Sequence, residues 1–125
     1  MTKFSSYKRL QSFKYALRGI ILLFKNEHNA WIHLFLMICA ISLGFYFDIS
    51  GIEWITVILS IGIVLAAEAF NTAIEQIANF IQPDQDKNIA RIKDLAAGGV
   101  LFTAISAFIV GLIIFLPKII HLFGG

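Results

Sequence analysis

Charge is scarce in this 125-residue chain: Asp, Glu, Lys and Arg together make up 14% of it, against 58% hydrophobic residues and a mean hydropathy of +0.81. A soluble domain of this size carries roughly a quarter charged residues, so an ordinary soluble fold is excluded and the chain reads as an integral membrane protein. Cysteine is scarcer still. Cys39 is the sole one, which rules out an internal disulfide and a cysteine-rich metal site, and its place in an apolar run gives it the character of a buried structural thiol. Also missing are a glycine-rich phosphate loop, the soluble-kinase motif set and any Cys/His zinc pattern, so phosphate chemistry would need another architecture. No internal repeat or low-complexity segment is visible.

What is present is apolar sequence in long runs. Ala30–Phe47, Ile52–Phe70 and Leu95–Pro117 are each near or above the length needed to cross a hydrocarbon core, about 20 residues. Ahead of them, Tyr7, Leu10, Phe13, Leu17, Ile20, Ile21 and Phe24 recur at three- and four-residue intervals, the signature of an amphipathic surface helix over about 5–25. The expected fold is therefore all-α: a surface helix and three transmembrane helices at about 30–47, 52–70 and 95–117, in one membrane domain covering 1–125. The second helix is expected to continue to about 81, where Pro83 follows, so that its last turns protrude from the membrane. A further helix is expected to start near Asn88 or Ile89 and run into the third span. Between the first two spans, Ser50 and Gly51 are expected to break the helix.

The net charge of +2 is distributed unevenly. Lys3, Lys8, Arg9, Lys14, Arg18 and Lys25 all precede the first span, Lys87, Arg91 and Lys93 lie between the second and third, and 48–53 holds no basic residue. By the positive-inside rule the N-terminus is cytoplasmic and the C-terminus outside. No small-residue cleavage motif follows the basic segment, so no processing is expected. Three spans enclose little interior, which places any buried site between helices of one protomer or between protomers, and makes an oligomer the expected state.

Glu68-Ala-Phe-Asn-Thr-Ala-Ile-Glu75 follows the uncharged run 54–67, setting two carboxylates where a span meets water. At about 100° per residue, Glu68, Asn71, Thr72, Glu75 and Asn79 project from one stripe of a helix. Such a stripe suits a hydrated ion, or serves only as polar glue between helices. Glu27 before the first span and Lys93-Asp94 before the third fall at the same depth. Paired carboxylates are hard oxygen ligands for Mg²⁺ bridging to phosphates, a lysine neutralises remaining phosphate charge, and a further carboxylate can take the proton of an attacking lipid hydroxyl. Read singly, Glu75 is also a snorkelling acid, Lys93-Asp94 a solvated pair and Glu27 a helix-terminal charge. A channel or scaffold is the reading of another class, but the apolar span middles disfavour a pore. Ala96-Ala97-Gly98-Gly99, Ala104, Ser106, Ala107 and Gly111 supply small residues for close packing of the third span. His33 suits either a lipid headgroup or a hydrogen-bonded interior, and His28 and His121 an interface.

The segments Glu68-Ala-Phe-Asn-Thr-Ala-Ile-Glu75 and Ile92-Lys-Asp-Leu-Ala-Ala-Gly98 resemble the signature segments of the small prokaryotic diacylglycerol kinase family, which includes undecaprenol kinases. Ser12-Phe-Lys-Tyr-Ala-Leu-Arg-Gly19, Asn26-Glu-His-Asn29 and Ile32-His-Leu34 also match in order and spacing. The resemblance implies a homotrimer in a prokaryotic inner membrane, with cytoplasmic active sites that use ATP and Mg²⁺ to phosphorylate a lipid alcohol. It implies no nucleic-acid partner. Carried over by position, Glu68 is the proton acceptor and Glu27 and Glu75 are metal ligands. Asn71, Lys93 and Asp94 contact nucleotide or catalytic groups, with Lys8, Tyr15, Asp84 and Asp86 as weaker nucleotide contacts, and His33, Glu68 and Ala97 meet the lipid. Asn79 stands where the family often has an aspartate, which removes a negative charge about one turn beyond Glu75. His33 in its Ile-His-Leu setting and Ile52-Glu-Trp54 look closer to the undecaprenol kinase branch than to the enterobacterial diacylglycerol kinases.

Overall fold

The computed structural model describes residues 5–124; Lys3, counted above among the N-terminal basic residues, lies outside them. Within that range four helices follow in order: α1 (Ser6–Asn26), α2 (His28–Tyr46), α3 (Gly51–Ile81) and α4 (Lys87–Gly124). No strand occurs among the described residues, and α2, α3 and α4 are each long and apolar enough to cross a membrane. This is the expected all-α architecture of one amphipathic helix and three spans. At 1.5 Å per residue α3 is about 46 Å long, so it exceeds the hydrocarbon thickness, as its sequence required.

The turns are built from local chemistry. A single extended residue, Glu27 (φ −117°, ψ 118°), separates α1 from α2, and its side chain caps neither helix. Trp31 folds α2 back onto α1: its indole Nε1–H donates to the Phe24 carbonyl, and its ring meets the Phe24 ring edge-on at 5.8 Å. The α2–α3 turn is a Schellman motif, in which Ile49 N–H donates to Gly44 O and Asp48 N–H to Phe45 O. Asp48 takes the left-handed conformation (φ 50°) usually given to glycine. Ser50 then caps α3 through a reciprocal capping box with Glu53. Asp48 and Ser50 thus make the break, whereas Gly51, expected to help break the chain, is already the first residue of α3. Asp86 opens α4 by accepting from the N–H groups of Asn88 and Ile89.

Packing is closest between α3 and α4, with α1 and α2 laid more lightly against α3. A small apolar core of Ile49, Val57, Ile114 and Phe115 closes the end of the bundle away from Glu68. There Trp54 covers Gly44 so closely that an added Cβ would lie 2.6 Å from its ring. Lys118 reaches Glu53 at 2.8 Å and also donates to Ile114 O, tying the start of α3 to the end of α4. Pro117 lies inside α4, which continues through Gly124 beyond the expected span limit. Close packing of α4 through its glycines is not seen within the protomer: added Cβ atoms at Gly98, Gly99 and Gly111 meet nothing within 4 Å. Most large apolar residues face outward, among them Phe70, Phe102 and Phe108, as a chain solvated by lipid or by further copies of itself requires.

Candidate active site

The buried face of α3 runs through Val57, Val64, Glu68, Thr72 and Ala78. An apolar stripe therefore turns polar at Glu68 without changing direction, and the carboxylate stripe points into the protomer. Glu68 is the largest fully buried side chain, 1% exposed. Neither of its carboxylate oxygens has a hydrogen-bond partner, and neither does Asn71 Oδ1 or Thr72 Oγ1. Buried acceptors are rarely left without donors. These four oxygens lie on one stripe of α3.

α2 supplies the facing group. His33 Nε2 lies 3.5 Å from Glu68 Oε2. From that contact α2 runs back six residues to Glu27 and the antiparallel α3 runs on seven to Glu75, about 9 and 10 Å of helical rise. Glu27 and Glu75 therefore reach a similar level along the bundle. Asn71 Nδ2 donates to Glu75 Oε1 at 3.4 Å, which holds that carboxylate on the stripe. From α4, Lys93 Nζ donates to Asn79 Oδ1, so the amide anchors the lysine to α3 without cancelling its charge. No group of three or more His, Cys, Asp and Glu side chains able to hold a metal forms among the described residues.

The remaining sequence-derived residues fall into three places. Asp84, Asp86 and Lys93 line one surface hollow of about 510 Å³ at the α3–α4 loop, although the Asp86 carboxylate is also engaged in capping α4. Lys8 and Tyr15 are exposed on α1, where the Tyr15 ring sits 5.7 Å from the Arg18 guanidinium. Asp94 and Ala97 are exposed on α4. Thr72 was given no role by the sequence beyond its stripe, yet its unpartnered hydroxyl places it beside Glu68. A second feature escaped the sequence altogether. Between α2, α3 and α4 lies an apolar cavity of about 400 Å³ lined by His33, Cys39, Val57, Ala107, Gly111 and neighbours, and Cys39 is a half-buried free thiol on its wall.

Three membrane-length helices with a buried carboxylate facing a histidine are the frame of a membrane-embedded site, and the comparisons place it in the lipid kinase class. The family model for prokaryotic diacylglycerol kinase matches residues 14–115, and the chain belongs to that family. It is 37% identical over 109 residues to an undecaprenol kinase of Bacillus subtilis (strain 168), covering 87% of this chain and 89% of that protein. It is 33% identical over 114 residues to a diacylglycerol kinase of Synechocystis, covering 90% of this chain and 65% of that protein. A diacylglycerol kinase of Haemophilus influenzae is 33% identical over 104 residues, covering 83% of this chain and 86% of that protein.

Proposed function

We propose that this chain transfers the γ-phosphoryl group of ATP to the hydroxyl of undecaprenol, giving undecaprenyl phosphate, with diacylglycerol as the alternative acceptor. The observation that carries the reading is Glu68: a buried carboxylate on a polar stripe, in contact with His33, which lines the apolar cavity. A lipid alcohol brings one hydroxyl to that carboxylate. Glu68 accepts the hydroxyl proton as the oxygen attacks the γ-phosphorus, and ADP leaves. His33, which lines the cavity, lies against Glu68.

The oxygen donors of Glu27, Glu75 and the unpaired Asn71 Oδ1 suit a hard divalent cation, and two carboxylates without a complete cage suit Mg²⁺, which keeps coordination sites for phosphate oxygens and water. Glu27 and Glu75 would hold it. When bound, the ion would supply positive charge that neutralises the triphosphate. Lys93, tethered to Asn79, supports the phosphates from α4, and Asn71 and Asp94 contribute further nucleotide contacts. Asp84 and Asp86 border the nucleotide at the loop hollow, while Lys8 and Tyr15 approach from α1, and Ala97 meets the lipid.

The choice of undecaprenol rests on the similarity to the Bacillus undecaprenol kinase and on Ile32-His-Leu34 and Ile52-Glu-Trp54. The whole chain is taken as one kinase domain, assembled as a homotrimer in the prokaryotic inner membrane with the N-terminus and active site cytoplasmic. Purified protein in phosphatidylcholine vesicles, supplied with labelled ATP, Mg²⁺ and either undecaprenol or diacylglycerol, tests the reading. Label is expected in undecaprenol at the higher rate. Faster labelling of diacylglycerol would exchange the two acceptors, and no labelling of either would end the proposal.

A further inference from the structure

The cavity between α2, α3 and α4 belongs to no step of the transfer itself, yet one residue of its wall touches Glu68. His33 both lines the cavity and lies 3.5 Å from Glu68. From His33 the cavity wall on α2 extends to Leu43, ten residues or about 15 Å of rise, half of a hydrocarbon core about 30 Å thick. Its walls are aliphatic and aromatic except for His33, Ser60 and the Cys39 thiol, so it cannot repay the desolvation of a charged or strongly polar guest. The α4 wall is opened by small residues: Ala104, Ala107 and Gly111 stand where larger side chains would fill the space. At Gly111 an added Cβ meets no atom within 4 Å. Nothing in the packing of the protomer needs a glycine there, and the missing side chain serves the cavity.

We infer that this cavity seats the hydroxyl-proximal part of the polyprenol chain, with Gly111 and Ala107 setting its width and His33 marking where chain gives way to reacting hydroxyl. The inference rests on the lipid kinase reading and adds a specificity-determining surface on α4, a helix that otherwise contributes only Lys93, Asp94 and Ala97 to the site. Three features support the occupant. The cavity is apolar along its length, it runs along the spanning helices, and its polar end lies at His33 beside Glu68, where a lipid alcohol must present its one polar group. A chain lying there also keeps bulk lipid and water from the proton acceptor.

Cys39, the only cysteine of the chain, lines the cavity and gives a readout independent of catalysis. The full-length protein in phosphatidylcholine vesicles is treated with N-ethylmaleimide with and without undecaprenol. Undecaprenol is expected to slow alkylation of Cys39 several-fold, and Gly111→Leu, which fills the cavity, is expected to remove that dependence. In the labelling assay, Gly111→Leu and Ala107→Leu are expected to lower transfer to undecaprenol by about tenfold or more, the scale on which a hydrophobic pocket discriminates added carbon atoms. Alkylation that is the same with and without undecaprenol overturns the inference, as does protection by diacylglycerol alone. If the unsubstituted protein labels undecaprenol but Cys39 is unprotected, the cavity assignment fails and the kinase reading stands. Protection of Cys39 by undecaprenol with no labelling of either lipid would instead keep the cavity as a polyprenol seat and overturn the kinase reading.

Discussion

Glu68 is buried, faces His33 and carries no hydrogen bond to either oxygen. A carboxylate kept this way is costly unless its lone pairs are used in function. Replacing it with glutamine keeps the volume and removes the proton acceptor, so Glu68→Gln is expected to lower turnover by about 10²–10⁴-fold, the usual contribution of general-base catalysis. The variant should sediment like the parent; full activity would reject the assigned base. Glu75 is proposed for a different task. Its carboxylate is held by Asn71 at 3.4 Å, and Glu75→Gln is expected to raise the Mg²⁺ concentration needed for half-maximal rate by about tenfold, the lower end of what altered metal shells cost. A titration of rate against Mg²⁺ at saturating undecaprenol checks this, and an unchanged Mg²⁺ requirement would remove Glu75 from the metal site. Chelation of divalent ions should stop both proteins.

At the scale of elements, the site depends on how abruptly the helices begin and end. The proposed metal-binding role of Glu27 depends on α1 stopping at Asn26 and α2 starting at His28, which leaves one extended residue whose side chain is not consumed by capping. The α2–α3 turn sets the register that brings His33 opposite Glu68. It holds Asp48 at a φ of 50°, which costs an L-residue about 1 kcal/mol relative to glycine, less for Asp than for most. Asp48→Gly is therefore expected to raise the thermal midpoint in detergent, and Ser50→Ala to lower stability by about 1 kcal/mol through loss of the N-cap. A midpoint that falls for Asp48→Gly would show that the aspartate side chain contributes more than its backbone strain costs.

At the scale of the whole molecule, the protomer is a thin bundle. Its buried apolar core is confined to a few residues, and Phe70, Phe102, Phe108 and many aliphatic side chains look outward. Gly98 and Gly99 of α4 meet no close neighbour within the chain, so the close packing that their sequence pattern suits is available to a second copy. Sedimentation of the detergent-solubilised protein, corrected for bound detergent, is expected to give three times the 14.0 kDa chain mass; a monomeric mass for the active protein would overturn the homotrimer.

Much of this was legible in the sequence because membrane burial obeys one-dimensional rules. Apolar runs of sufficient length, basic residues bunched at two positions and the polar stripe from Glu68 to Asn79 follow from hydrocarbon thickness and helical periodicity alone. Those rules determined the four helices and the face on which the carboxylates stand, while the kinship came from the resemblance of the segments around Glu68 and Lys93. They could not determine what that face meets. That His33 opposes Glu68, that Lys93 is tethered to Asn79, and that Ala107 and Gly111 border a cavity when their pattern suggested tight packing, were decided by the tertiary structure. The physical reason is that periodicity fixes the direction of a side chain from its own helix axis, whereas its partner depends on turn geometry and on the rotation of one helix against another.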